Sequence, residues 1–149
     1  MTESLSKGLT GIAGEYYAAA ELSIRGYMAA VTLRNNESID ILAYRQSDSK
    51  QFAIQVKTVQ HGIPKWPLNK KAEIDFKDNK FYIFVLLNSD LKRPDFYIVP
   101  SQELAENIKN NNQVWLYTPG RQGQAHNEND IRVFKDDVAK YKERWDLLD

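Results

Sequence analysis

Asp40 lies between Ile39 and Ile41, and Gln55 and Lys57 stand two apart among Ile54, Val56 and Val59. Polar groups set into apolar, strand-like stretches are costly unless they are used. Residues two apart on a strand share a face, with Cα atoms roughly 6.5–7 Å apart, so Gln55 and Lys57 point together into one region. If the stretch carrying Asp40 forms a hairpin with them, its carboxylate reaches that region from the neighbouring strand. Glu15 lies one and two turns before Ala19 and Leu22 on an otherwise small and apolar helix stripe, which aims its carboxylate toward the sheet. Magnesium prefers oxygen ligands and keeps several waters, so one or two carboxylates and an amide oxygen suffice to hold it. A bound dication acidifies its water and polarises a phosphoryl group. A nearby lysine can orient or deprotonate that water, or stabilise charge building on phosphate.

The elements that must position these residues follow from local patterning. Residues 10–26 read as a helix, capped by Thr10 and ended by Gly26, with a broad apolar face and an alanine cluster at Ala18, Ala19 and Ala20. Residues 27–33 form a first strand, stopped by the turn signal Asn35-Asn36. Residues 38–44 alternate, with Asp40, Leu42 and Tyr44 on one face and Ile39, Ile41 and Ala43 on the other. After a polar turn, residues 52–59 put Phe52, Ile54, Val56 and Thr58 opposite Ala53, Gln55, Lys57 and Val59. A helix followed by a three-stranded meander is therefore expected.

Residues 61–79 have no clean periodicity and read as a long loop with room for a short helix. Residues 81–87 are apolar throughout, as in a strand buried on both faces, and residues 96–99 form another strand. Ser101 caps a helix running to about Asn110, residues 114–117 suggest a last strand, and residues 138–148 an amphipathic helix. The Gly/Gln/Asn-rich segment 118–129 reads as a mobile loop. Trp66 and Tyr82 are better read as core aromatics than as base-stacking platforms.

A chain of 149 residues is one domain in size, and no internal repeat or boundary divides residues 1–149. There is no cysteine, which excludes disulfides, thiolate metal sites and cysteine nucleophiles. No apolar run is long enough to cross a bilayer, so a soluble, cytoplasmic protein is expected. Net charge is zero, but residues 61–93 carry seven Lys/Arg against four Asp/Glu, whereas residues 94–149 carry seven against ten. The basic middle offers a phosphate-binding surface, with Lys65, Lys70 and Lys71, together with Arg34, as candidate nucleic-acid contacts.

At Gly14-Glu15, Ser38-Ile39-Asp40-Ile41-Leu42 and Ile54-Gln55-Val56-Lys57-Thr58 the chain resembles the restriction-endonuclease-like PD-(D/E)xK nuclease superfamily, near its Holliday-junction-resolvase and modification-dependent restriction branches. The resemblance implies an α/β restriction-endonuclease-like core: a helix, a three-stranded meander, then helix and strand, with a mixed central sheet flanked by helices. It also implies Mg²⁺-dependent (or Mn²⁺-dependent) hydrolysis of DNA phosphodiesters, in repair or in defence against foreign DNA. It casts Asp40 as the metal-binding aspartate, Gln55 as the second metal-site position, Lys57 as the catalytic lysine and Glu15 as the helix-borne glutamate of the resolvase-like branches. DNA is the implied partner and a homodimer is compatible; no membrane and no small-molecule cofactor are expected. Gln55 departs from the usual acidic residue, which lowers the charge of the site. The rival expectation is a catalytically silent nuclease fold that binds nucleic acid or a protein.

Overall fold

The computed structural model describes residues 4–33, 39–60 and 62–149. Helix α1 (Lys7–Ile24) is followed by the antiparallel meander β1 (Tyr27–Val31), β2 (Ile41–Arg45) and β3 (Lys50–Gln60). The chain then forms β4 (Lys65–Asn69), a 3-10 turn at Lys70–Glu73, β5 (Lys80–Leu87), β6 (Asp95–Pro100), helix α2 (Ser101–Tyr117) and β7 (Ile131–Lys135). The main sheet has five strands in the order β1-β2-β3-β5-β6, and β4 and β7 pair in a second, two-stranded sheet. Because β3 and β5 are parallel while β5 and β6 are antiparallel, the main sheet is mixed. The crossover that a parallel β3–β5 pair requires is made by β4 and the 3-10 turn rather than by a full helix.

Two apolar layers sandwich the sheet. On one face Ala18 and Leu22 of α1 pack on Ile41, Ile54, Val56, Ile83 and Ile98. On the other, Leu104 and Ile108 of α2 join Trp66, Phe134, Tyr82, Phe84 and Val99. Each large side chain so buried contributes roughly 1.5–3 kcal/mol. Strand β5 is apolar on both sides because it lies between these layers, as expected, and Trp66 and Tyr82 are core residues. The Trp66 indole N–H is satisfied by the Val85 carbonyl at 3.1 Å.

Several local expectations are corrected. The cap of α1 is Ser6, whose hydroxyl accepts the Leu9 N–H; Thr10 lies within the helix and donates to the Ser6 carbonyl at 2.8 Å. Gly26, at φ +90°, supplies the left-handed residue that ends α1. Ser101 is the first residue of α2, not its cap, and its hydroxyl is exchanged with the backbone of Lys77. The strand expected at Val114–Tyr117 is the last turn of α2, because the buried series Ser101, Leu104, Ala105, Ile108, Asn112 keeps a helical period past Asn110. The loop expected at 61–79 contains β4, where Trp66 and Leu68 alternate with exposed neighbours, and its partner β7 was not anticipated.

The C-terminal amphipathic helix does not form. Positive φ at Ala139 and Glu143 breaks it, and Tyr141 and Glu143 instead bond the backbone of β6. The apolar spacing that imitates a helix serves another end: Tyr141 enters one apolar layer while Trp145 and Leu148 enter the other, so the segment wraps the β6 edge. Among the described residues no helix is long and apolar enough to cross a membrane.

Candidate functional site

Asp40 precedes β2 and is held by hydrogen bonds to Thr32, Ile54 and Val56. Its N–H donates to the Ile54 carbonyl at 2.9 Å, its carbonyl accepts from the Thr32 N–H at 2.9 Å, and its carboxylate Oδ2 accepts from the Val56 N–H at 2.7 Å. Thr32 also donates its hydroxyl to the Ile39 carbonyl at 2.6 Å. The side chain of Asp40 thus supplies an acceptor to a β3 amide next to the point where β2 begins. A hydrogen bond to an ionised acceptor is roughly twice as strong as a neutral one, so the carboxylate is well anchored.

Gln55 and Lys57 extend from β3 on the face opposite Ile54 and Val56. Gln55 is paired with Tyr82 and Lys57 with Phe84, so both share the face that carries those rings. The alternation of buried Ile41 with exposed Leu42 puts Asp40 on that same face. Gln55 and Lys57 are half-buried, and among the described residues neither side chain makes a hydrogen bond or an ion pair. Burial pushes the Tyr82 phenol up to about 12, with the Asp75 charge adding to it, so Tyr82 is a neutral neighbour and not a base.

Glu15 starts from the other layer. Helix α1 buries Thr10, Gly14, Ala18 and Leu22 against the sheet, and Gly14 lies so close to β3 that an added Cβ would stand 1.7 Å from the Thr58 hydroxyl. This contact seats the turn of α1 that carries half-buried Glu15 against β3 at Thr58, on the face opposite Gln55 and Lys57. Sequence reasoning missed both positioning devices. The glycine beside Glu15 in a helix was the available signal for the second; nothing local marks the Asp40–Val56 bond.

Among the described residues no three His, Cys, Asp or Glu side chains gather as a metal-binding group. Among the described residues the acids expected at the site are Asp40 and Glu15, with Gln55 as a neutral oxygen donor.

The basic surface is smaller than the residue count implies. Lys80 is buried beside Asp75 at 2.7 Å, and Arg93 is held by Glu21 and Glu143. Lys65, Lys70 and Lys71 are exposed on β4 and the turn after it, with Lys70 paired to Asp130 at 2.9 Å. Arg34, His61 and the Asn35-Asn36 turn lie outside the described residues.

A helix lies over an antiparallel meander that continues into a parallel strand, with an aspartate at the entrance to the meander's second strand and a QxK pair on its third. Among solved structures the chain is similar to the bacterial homing endonuclease I-Ssp6803I, at 14% identity and a TM-score of 0.51, covering 97% of this chain and 92% of that one. It is also similar to the Holliday junction resolvase Hjc of Archaeoglobus fulgidus, at 14% identity and a TM-score of 0.47, covering 85% and 84%. No family model matches the chain, and no curated protein matches it in sequence. The likeness is one of fold.

Proposed function

We propose that this protein is a Mg²⁺-dependent endonuclease that hydrolyses DNA phosphodiester bonds, in repair or in defence. The observation that carries this reading is the pairing of an anchored carboxylate, Asp40, with two half-buried polar side chains, Gln55 and Lys57, that make no bonds of their own among the described residues.

The donor set fits a hard dication. Asp40, Gln55 and the helix-borne Glu15 are all oxygen donors, which suits Mg²⁺ or Mn²⁺ better than a softer metal. When bound, such an ion supplies a water of lowered pKa and positive charge facing the phosphate. The Val56 N–H holds the Asp40 carboxylate in one orientation, which spares the site that ordering cost. Lys57 carries its ammonium on the same face, where it orients the attacking water and offsets charge on the phosphoryl oxygens. Water adds to phosphorus, the bond to the leaving sugar oxygen breaks, and that oxygen takes up a proton. Lys65, Lys70 and Lys71 contact the DNA backbone without reading sequence.

A second reading rests on Gln55 and the small number of acids: a silent nuclease fold that binds nucleic acid or a protein. A cleavage assay on supercoiled, branched and single-stranded DNA, in Mg²⁺ and in Mn²⁺, separates the two. The enzyme reading expects cutting by wild type and none by Lys57→Ala, with equal metal binding in both. A wild type that cuts none of these substrates yet retards DNA replaces it with the silent module.

A further inference from the structure

A groove of about 850 Å³ opens between the C-terminal half of α2, β7 and the segment after it, within the roughly 300–1,000 Å³ range of small-molecule sites. None of Glu15, Asp40, Gln55 and Lys57 lines it. Three features on its wall are unusual. First, Asn112 is only 8% exposed, lines the groove, and makes no side-chain hydrogen bond among the described residues. Its carboxamide keeps a donor and an acceptor available to a molecule seated in the groove. Second, the Trp115 and His126 rings stack in parallel, with centroids 4.1 Å apart and 5° between planes. The His126 Nδ1 is tied to the Trp115 carbonyl at 2.7 Å, which holds the pair as a unit, while Trp115 remains 39% exposed. Third, Lys65, Lys135 and Lys140 line the same groove. The carboxylate of Asp136, also on the wall, is spent on the backbone N–H groups of Lys140 and Tyr141, both at 2.8 Å.

A flat aromatic pair, an amide with both donor and acceptor to offer, and nearby ammonium groups are complementary to one kind of ligand: a planar, hydrogen-bonding ring that carries an anionic group. We propose that this groove binds a single nucleotide unit, its base stacked on the Trp115–His126 pair and hydrogen-bonded by Asn112, its phosphate facing Lys65, Lys135 and Lys140. Phosphate alone would use only the lysines, and an uncharged aromatic would use only the rings. The chemistry is shared by a free mononucleotide and by an unpaired nucleotide within a DNA strand. The site is separate from the Asp40–Lys57 face, and the inference stands whether or not that face is catalytic.

The test is calorimetry on the full chain in EDTA, so that no divalent ion bridges the ligand to the other site. The titrants are dAMP, deoxyadenosine, inorganic phosphate and a single-stranded tetranucleotide. One equivalent of dAMP should bind, more tightly than either deoxyadenosine or phosphate. Trp115→Ala should weaken binding at least about fivefold, the lower end of what one base–aromatic stack is worth. Asn112→Leu, which keeps the side-chain volume in its buried place, should weaken it by a similar factor. A tetranucleotide that binds much more tightly than dAMP identifies a strand as the ligand; equal affinity identifies a free nucleotide. No saturation by either up to about 5 mM overturns the proposal, being beyond the weak end of specific affinity. So does binding of phosphate alone as tight as that of dAMP, or affinity unchanged in both groove variants.

Discussion

The carboxylate of Asp40 accepts the backbone N–H of Val56 at 2.7 Å, so the residue proposed to hold a cation is also part of the sheet's hydrogen bonding. The bond links the entrance of β2 to the middle of β3, between Gln55 and Lys57 in sequence. Any change at Asp40 therefore acts on stability and on the candidate site together, and the two effects can be separated by choice of substitution.

Asp40→Ala removes the acceptor and leaves the Val56 N–H without it, at a cost of about 1–3 kcal/mol. Asp40→Asn keeps a neutral oxygen that can accept the same bond, and should lose less than half as much. Both should lose divalent-ion binding and DNA cleavage. Thermal denaturation in EDTA, beside calorimetry with Mn²⁺, checks the pair; equal melting temperatures for the two variants would remove the structural role assigned to the carboxylate.

Gln55→Glu replaces a neutral oxygen by an anionic one on the face shared with Lys57. Affinity for Mg²⁺ or Mn²⁺ should rise, and Lys57 gains a charged neighbour that the fold accommodates at half burial. Calorimetry on the folded variant is the measurement. Unchanged or weaker affinity would count against a coordinating role for residue 55.

Gly14→Ala should destabilise the protein by about 1–3 kcal/mol, the usual cost of forced overpacking, since the new methyl meets the Thr58 side chain at 1.7 Å. Thr58→Ala in the same chain removes the closest atom and should restore part of the loss, which denaturant unfolding of the single and double variants would reveal. Purely additive losses would mean that α1 and β3 do not meet through this contact.

Arg45 clasps Asp48 at 2.5 Å and Asp149 at 2.6 Å, tying the β2–β3 turn to the C-terminus. The Arg45 hydrogen bond holds the Asp48 carboxyl at about 2, down from its ordinary 3.8. A depressed carboxyl contributes stability that is present above its unfolded value and is lost as pH falls through the folded one. Asp48→Asn should therefore melt below wild type at pH 6, with the gap closing between about pH 4 and pH 2. Melting curves across that range test it; a gap independent of pH would rule out the charge as its source.

The meander, the order of its strands and the faces of β3 were legible in the sequence because each depends on neighbours two to four residues apart. The alternation that puts Ile54 and Val56 opposite Gln55 and Lys57 is set by strand geometry alone, and the both-sided apolarity of β5 announces its central place. What escaped were pairings made at a distance. Strand β4 is recognisable only beside β7, more than sixty residues on, since Trp66 and Leu68 alternate too briefly to signal a strand unaided. The apolar spacing of Tyr141, Trp145 and Leu148 fits a helix in isolation, but the exposed edge of β6 offers backbone partners and two separate apolar layers to fill. At the candidate site the residue types came from the sequence. The Val56 N–H that orients Asp40 and the Gly14–Thr58 contact that seats α1 on β3 came only from tertiary structure, because a backbone amide carries no sequence signature and a close approach needs both surfaces present.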